Sequence, residues 1–230
     1  MTPLMTPLMT QPLPLRERDN VFQFGGFVLV GGRSSRMGRS KALLESDSRP
    51  LALRAADLLS PLVAEVTLLG PPATYAQLGL PVLPDELPDL GPLSALCTAL
   101  RNSAYDWNIF LACDLPLLER GVLAALTDRV RSISGAGEIQ AGVQAGVQAV
   151  VPRTDGWQPL CAAYHRSCLP AMEAALSGNR RSVAGVLPRL RVEALTTHHL
   201  GDSAFCARVF RNVNTPQEWL ETQPLMGATI

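Results

Sequence analysis

Apolar residues gather into short solid runs separated by longer stretches in which they recur every three or four positions. Residues 27–30 (FVLV) form a continuous apolar run, the pattern of a strand covered on both faces. Residues 51–62 follow with alanines and leucines on one helical side, and the pattern then repeats. Strands are predicted over 66–69 and 107–113, and helices over 93–100 and 120–130. Strand alternating with helix predicts an α/β fold of three layers, a mainly parallel sheet with helices on both faces. In such sheets ligands bind beyond the carboxyl ends of the strands, which singles out the loops starting at Gly31, Asp85 and Asp114.

Two segments break the pattern. The first twenty residues repeat Met-Thr-Pro-Leu with proline every few positions, which forbids a helix and predicts a disordered tail over 1–22. The run AGVQAGVQA predicts a low-complexity surface loop over about 134–149. One domain is expected over 23–222, with a C-terminal tail over 223–230. Hydrophobic residues make up 47% and charged ones 17%, so the chain can bury a core. Twenty cations balance twenty anions, and aromatics make up only 5%. Neither a global field nor a stacking surface therefore points to nucleic acid or to an anionic membrane. Five cysteines without a C-x-x-C pair read as reduced core thiols. With no apolar run of membrane-spanning length and no basic leader followed by an apolar run, a cytoplasmic protein is expected.

The loop after the first strand carries the clearest chemistry. It reads Gly31-Gly32-Arg33-Ser34-Ser35-Arg36-Met37-Gly38-Arg39-Ser40-Lys41 and contains no acidic residue. Glycines let a backbone approach a phosphate and aim its N–H groups at it, while four cations supply the charge. The spacing is neither that of a P-loop nor the dinucleotide fingerprint. Lys41 is the only lysine among 20 cations. An ammonium is a compact charge on a thin stem, suited to a crowded polyphosphate. Asp114, at the end of an apolar strand, is placed as a hard oxygen ligand for Mg²⁺, which takes one or two carboxylates plus substrate phosphates. A turn cap before Pro116 is the alternative.

The segment from Leu29 and Val30 through Gly31, Gly32, Ser34, Arg36, Met37 and Gly38 to Lys41 resembles the L-x-G-G-x-S-x-R-M-G-x-x-K signature of the molybdenum cofactor guanylyltransferase (MobA-like) nucleotidyltransferases. Further along, Asp85, Gly91-Pro92-Leu93, Asp114-Leu115-Pro116 and Asn212-Val213-Asn214-Thr215-Pro216 are similar, in order, to that family's nucleotide-contacting aspartate, G-P-L helix entry, D-x-P metal motif and N-V-N-T-P. The resemblance implies a Rossmann-like three-layer α/β/α nucleotidyltransferase fold. It implies transfer of GMP from GTP to the terminal phosphate of molybdenum-molybdopterin, with Mg²⁺ as cofactor and pyrophosphate released. Arg36, Lys41 and Asp114 would be catalytic, with Asp114 the metal ligand. Leu29, Val30, Gly31, Gly32, Lys41, Asp85 and Asp114 would bind the nucleotide, and Asn212 and Asn214 the acceptor or metal. Molybdenum-insertion proteins and molybdoenzyme chaperones are the implied protein partners.

Other residues carry less. The family's asparagine after the second strand is replaced by Gly70-Pro71-Pro72. Asp85 and Glu86 also read as a solvated turn, and Arg180-Arg181 as a solvated helix start. Trp157-Gln158-Pro159-Leu160 resembles the family's Q-P-L segment or is a turn packed on the sheet. His165, His198 and His199 lack metal or triad spacing and read as surface residues. Gly31-Gly32 where cytidylyl relatives tend to have Ala-Gly leaves room for guanine. The same loop and aspartate also suit a cytidylyltransferase, a sugar- or alcohol-phosphate nucleotidyltransferase, or a catalytically silent nucleotide- or cofactor-binding module.

Overall fold

The computed structural model describes residues 23–31, 40–88, 90–135 and 146–226. The N-terminal segment 1–22 expected to be a tail lies outside the described residues, as do Gly32 and Arg36. In chain order the strands are β1 (Phe24–Leu29), β2 (Glu45–Ser46), β3 (Arg49–Pro50), β4 (Glu65–Leu69), β5 (Val82–Leu83), β6 (Trp107–Ala112), β7 (Ala149–Arg153), β8 (Cys161–His165) and β9 (Val192–Thr196). The helices are α1 (Leu51–Leu59), α2 (Pro72–Tyr75), α3 (Pro92–Asn102), α4 (Arg120–Gly135), α5 (Leu169–Ser177), α6 (Thr197–Leu200), α7 (Ser203–Val209) and α8 (Pro216–Met226).

Seven strands form one sheet in the order β5-β4-β1-β6-β8-β7-β9, and β2 and β3 form a separate two-stranded ribbon. Strand β1 lies parallel to both β4 and β6, with Val28 opposite Leu68 on one side and Leu111 on the other. Only β8 runs against its neighbours, antiparallel to β6 and to β7. The sheet is therefore mainly parallel, as the alternation of elements requires.

Side-chain alternation along β1 sorts the core into two layers. Val28 and Val30 join Leu68, Ile109 and Leu111 against α1, α4 and α7. Phe27 and Leu29 join Leu69 and Phe110 against α3 and α5. A smaller cluster of Leu44, Leu51, Leu117, Val213, Trp219 and Met226 docks α8 beside the ends of the central strands.

Strand β1 begins three residues earlier than its apolar run, at two glycines whose missing side chains are structural. A Cβ at Gly25 would lie 2.5 Å from the Asn108 Oδ1, and one at Gly26 2.7 Å from Val63. Helix α4 runs to Gly135 and β7 starts at Ala149, so the loop expected over 134–149 is shorter at both ends. The C-terminal boundary at 222 is also corrected: α8 continues to Met226, which is buried against Leu51 and its neighbours. All five cysteines are free and buried, as core thiols should be.

Candidate active site

Because β1 and β6 are parallel neighbours with Leu29 opposite Ala112, the segments Val30-Gly31 and Cys113-Asp114 leave the sheet side by side. The Cys113 N–H donates to the Leu29 carbonyl (3.3 Å), which holds the two exits together. Leu29 and Val30 bury their side chains on opposite faces of the sheet and offer none to a ligand. The N–H groups of Val30 and Gly31 both donate to the Leu69 carbonyl (3.1 Å each). Gly31 itself is exposed. A Cβ there would meet the Leu69 oxygen at 3.5 Å and the Gly70 Cα at 3.6 Å, ordinary contact distances. Nothing within the described protein requires glycine at 31.

Asp114 is partly exposed at the mouth of this exit. Burial pushes its carboxyl above the ordinary carboxylate range, an effect opposed by the positive charge of Lys41 and by its own backbone N–H. The charged form of a desolvated carboxylate is stabilised by any further cation brought to it.

The third part comes from the far end of the chain. The Val213 N–H donates to the Asp114 carbonyl (3.0 Å), and the Val213 side chain is fully buried. In extended backbone this turns Asn212 and Asn214 outward together. The Lys41 ammonium donates to the Asn214 Oδ1 at 2.8 Å. A capping box fixes the segment: Glu218 Oε2 accepts from the N–H groups of Asn214 (2.5 Å) and Thr215 (2.9 Å), while Thr215 Oγ1 accepts from the Glu218 N–H (3.2 Å). These bonds, with the Asn214 N–H foremost, hold the Glu218 carboxyl below its usual range.

Lys41, Asp114 and Asn214 are thus brought together, and Gly31 lies at the same edge. Asn212 is exposed on the same segment. Asp85 is engaged otherwise: its Oδ1 accepts from Ser94 Oγ (2.5 Å), the Leu87 N–H (3.1 Å) and Thr98 Oγ1 (3.3 Å). One carboxylate oxygen therefore latches the entry of α3. Glu86 pairs with Arg101. Arg180 and Arg181 do not start a helix. They follow α5, and Arg181 packs its backbone on Gly91, whose φ of 83° and 3.2 Å Cβ distance to the Arg181 oxygen both call for glycine.

The Gln158-Pro159-Leu160 turn abuts the end of β6, where the Leu160 carbonyl accepts from the Ala112 N–H (2.8 Å). Trp157 lies under the Arg153 guanidinium. His165 is half-buried edge-on against Trp107, not at the surface, and burial lowers its pKa. His198 and His199 are exposed. Sequence reasoning assigned no role to Ser40, inside the basic loop, or to Tyr75, whose hydroxyl meets Ser40 Oγ and the Val30 carbonyl. A lone tyrosine in a Pro-Pro-Ala-Thr-Tyr segment carries no motif signal.

The donor set suits a small hard cation. One carboxylate and one amide oxygen are oxygen ligands, and among the described residues no group of three or more His, Cys, Asp or Glu side chains gathers that could hold a metal alone. An ion here therefore takes the rest of its shell from water or from substrate oxygens. No helix among the described residues is long and apolar enough to cross a membrane.

A probable molybdenum cofactor guanylyltransferase of Pelotomaculum thermopropionicum is 32% identical over 205 residues, covering 88% of this chain and 93% of that protein. Another, of Deinococcus radiodurans, is 32% identical over 84% of this chain and 91% of its own length. Among solved structures, the molybdopterin-guanine dinucleotide biosynthesis protein A of Archaeoglobus fulgidus shares the fold with a TM-score of 0.72 at 22% identity, covering 90% of this chain and all of its own. The 2-C-methyl-D-erythritol 4-phosphate cytidylyltransferase of Thermus thermophilus shares it with a TM-score of 0.60 at 15% identity, over 89% of this chain and 99% of its own. The MobA-like NTP transferase domain matches residues 26–193, most of the described sheet, and the chain belongs to that family.

Proposed function

We propose that this nucleotidyltransferase transfers GMP from GTP to the terminal phosphate of molybdenum-molybdopterin, in the cytoplasm, and that Mg²⁺ is its cofactor. The observation that carries the reading is the meeting of Lys41, Asn214 and the desolvated carboxyl of Asp114 at the carboxyl edge of parallel strands. The named relatives support the choice of guanine and of the molybdenum-bearing acceptor.

The acceptor is a phosphate monoester, already largely anionic at pH 7, so no general base is needed. Its oxygen forms a bond to the α-phosphorus of GTP, the bond to the bridging oxygen breaks, and pyrophosphate leaves with that electron pair. The protein's task is alignment of two anions and neutralisation of charge on the leaving group. Lys41 supplies a fixed cation, steadied by Asn214. Arg36, from the same basic loop, supplies another. Asp114, with the Asn214 carbonyl as a second hard oxygen, would hold Mg²⁺, which when bound draws charge from the triphosphate. Gly31 leaves the end of β1 open for the nucleotide. Asp85, with one oxygen committed to α3, can offer its other oxygen to the nucleotide, and Asn212, exposed on the Asn214 segment, is assigned to the acceptor.

Pyrophosphate release with GTP, Mg²⁺ and molybdenum-loaded pterin tests the reading, with CTP as competitor. Release with CTP in preference to GTP overturns the base assignment, and release with a sugar phosphate but not the pterin overturns the acceptor. GTP binding without release under any of these conditions leaves a binding module instead of an enzyme.

A further inference from the structure

Tyr75, at the end of α2, is buried, and its hydroxyl reaches both the exit of β1 and the end of the basic loop. It donates to the Val30 carbonyl at 2.6 Å, just before the loop, and lies 2.7 Å from Ser40 Oγ, the residue before Lys41 at its end. A phenol has one proton. With that proton on the Val30 oxygen, Ser40 must be the donor to the Tyr75 oxygen, so both groups are directed and neither bond can swap. Burial raises the Tyr75 phenol above its usual range, which keeps the proton in place.

The approach is close because Gly70 has no side chain. A Cβ there would lie 2.9 Å from Val30 Cγ2, 3.0 Å from Tyr75 Cε2 and 3.2 Å from the Gly31 nitrogen. Ser40 is bonded to its successor, Lys41, whose ammonium meets Asn214. The 3-10 turn that begins at Lys41 is closed by the Leu43 N–H on the Ser40 carbonyl (3.2 Å). Tyr75, Ser40 and Lys41 therefore form one mechanical chain from the sheet to the candidate site.

We infer that Tyr75 is a positioning residue for the nucleotidyl transfer, tying the exit of β1 to Ser40 and so fixing where Lys41 delivers its charge. It touches no substrate. Its effect passes through Lys41, and the kinetic part of the inference rests on the guanylyl-transfer reading.

The single lysine makes a direct test available. Protein grown with ¹³Cε-lysine gives one lysine signal, and that signal reports Lys41. Tyr75→Phe keeps the ring and deletes both bonds, and is expected to shift the Lys41 signal. It should also lower kcat/KM for GTP about tenfold, the scale of one or two lost buried hydrogen bonds. Ser40→Ala should shift the same signal in the same direction and lower kcat/KM less, and Ser40→Thr should restore both. A Lys41 signal that stays put in folded Tyr75→Phe overturns the inference. So does a Tyr75→Phe loss that multiplies in full with that of Lys41→Arg, since effects passing through one group do not multiply. If Tyr75→Phe fails to fold, Ser40→Ala decides by the same signal. The spectroscopic arm needs no nucleotide, so wild-type protein that releases no pyrophosphate defeats the guanylyl-transfer reading and leaves the lysine signal to decide the role of Tyr75.

Discussion

Replacing Gly31 with alanine should make the protein more stable and a worse enzyme. The new Cβ has room within the protein, 3.5 Å from the Leu69 oxygen and 3.6 Å from the Gly70 Cα, and the backbone at 31 lies outside the left-handed region. The Gly31 N–H keeps its bond to Leu69 in either variant. An alanine that fits its site without strain restricts the unfolded chain and stabilises by about 0.4–1 kcal/mol. For a domain of this size that is roughly 1–4 °C in Tm. The same methyl projects where the nucleotide is proposed to lie, and overpacking of a fitted site costs about 1–3 kcal/mol. GTP affinity should fall roughly 5- to 150-fold. The neighbouring glycine gives the opposite sign. Gly70→Ala drives a Cβ to 2.9 Å from Val30 and 3.0 Å from Tyr75, and should destabilise by about 1–3 kcal/mol. Urea denaturation without nucleotide and calorimetric titration with GTP read the two quantities separately. A Gly31→Ala protein that loses 1 kcal/mol or more, or that binds GTP as tightly as wild type, refutes the reasoning.

Lys41→Ala should lower turnover by about a hundredfold or more while leaving the far-ultraviolet circular dichroism and Tm near those of wild type, since a preorganised charge on a transferring phosphate is worth several kcal/mol. Asp114→Asn should abolish pyrophosphate release yet raise stability at neutral pH. The folded carboxyl holds its proton more tightly than the unfolded one, so its favourable contribution is present in acid and lost as pH rises through the raised value. The gain should therefore vanish in unfolding curves taken below the ordinary carboxylate range. Asn214→Ala removes the acceptor of the Lys41 ammonium and should lower kcat/KM for GTP about tenfold in steady-state assays, with Asn214→Asp retaining affinity for Lys41 better than alanine.

The alternating first half of the chain was readable because each central strand is buried on both faces and so carries an unbroken apolar run. The predicted segments 66–69 and 93–100 lie inside β4 and α3, within one residue of the ends of β4 and within two of the ends of α3. Strand β1 extends beyond its apolar run because Gly25 and Gly26 give no hydrophobic signal, although packing against Asn108 and Val63 is what excludes a side chain there. Strands β7 to β9 carried no clear period: Cys161-Ala-Ala-Tyr-His165 is small and apolar enough for either element, and β7 contains Pro152. Lys41, Asp114 and Asn214 stood out through motif chemistry, but their meeting depends on the Val213 bond to Asp114, which no local pattern announces. Asp85 resembles a ligand contact and is at least partly a latch for α3, because its hydroxyl partners lie nine and thirteen residues on and no local pattern marks the pairing. Tyr75 was invisible, since its value lies in two partners 35 and 45 residues away.

The bond between Lys41 and Asn214 spans 173 positions of sequence. During synthesis the sheet's central strands and the lysine emerge early, whereas the amide that steadies the ammonium arrives only when almost all of the described domain has left the ribosome. Helix α8 then seats Trp219 and Met226 on Leu44 and Leu51 as the last piece of core. A chain terminated before residue 212 therefore holds Lys41 without the amide that accepts from its ammonium, and leaves Leu44 and Leu51 without the Trp219 and Met226 that cover them.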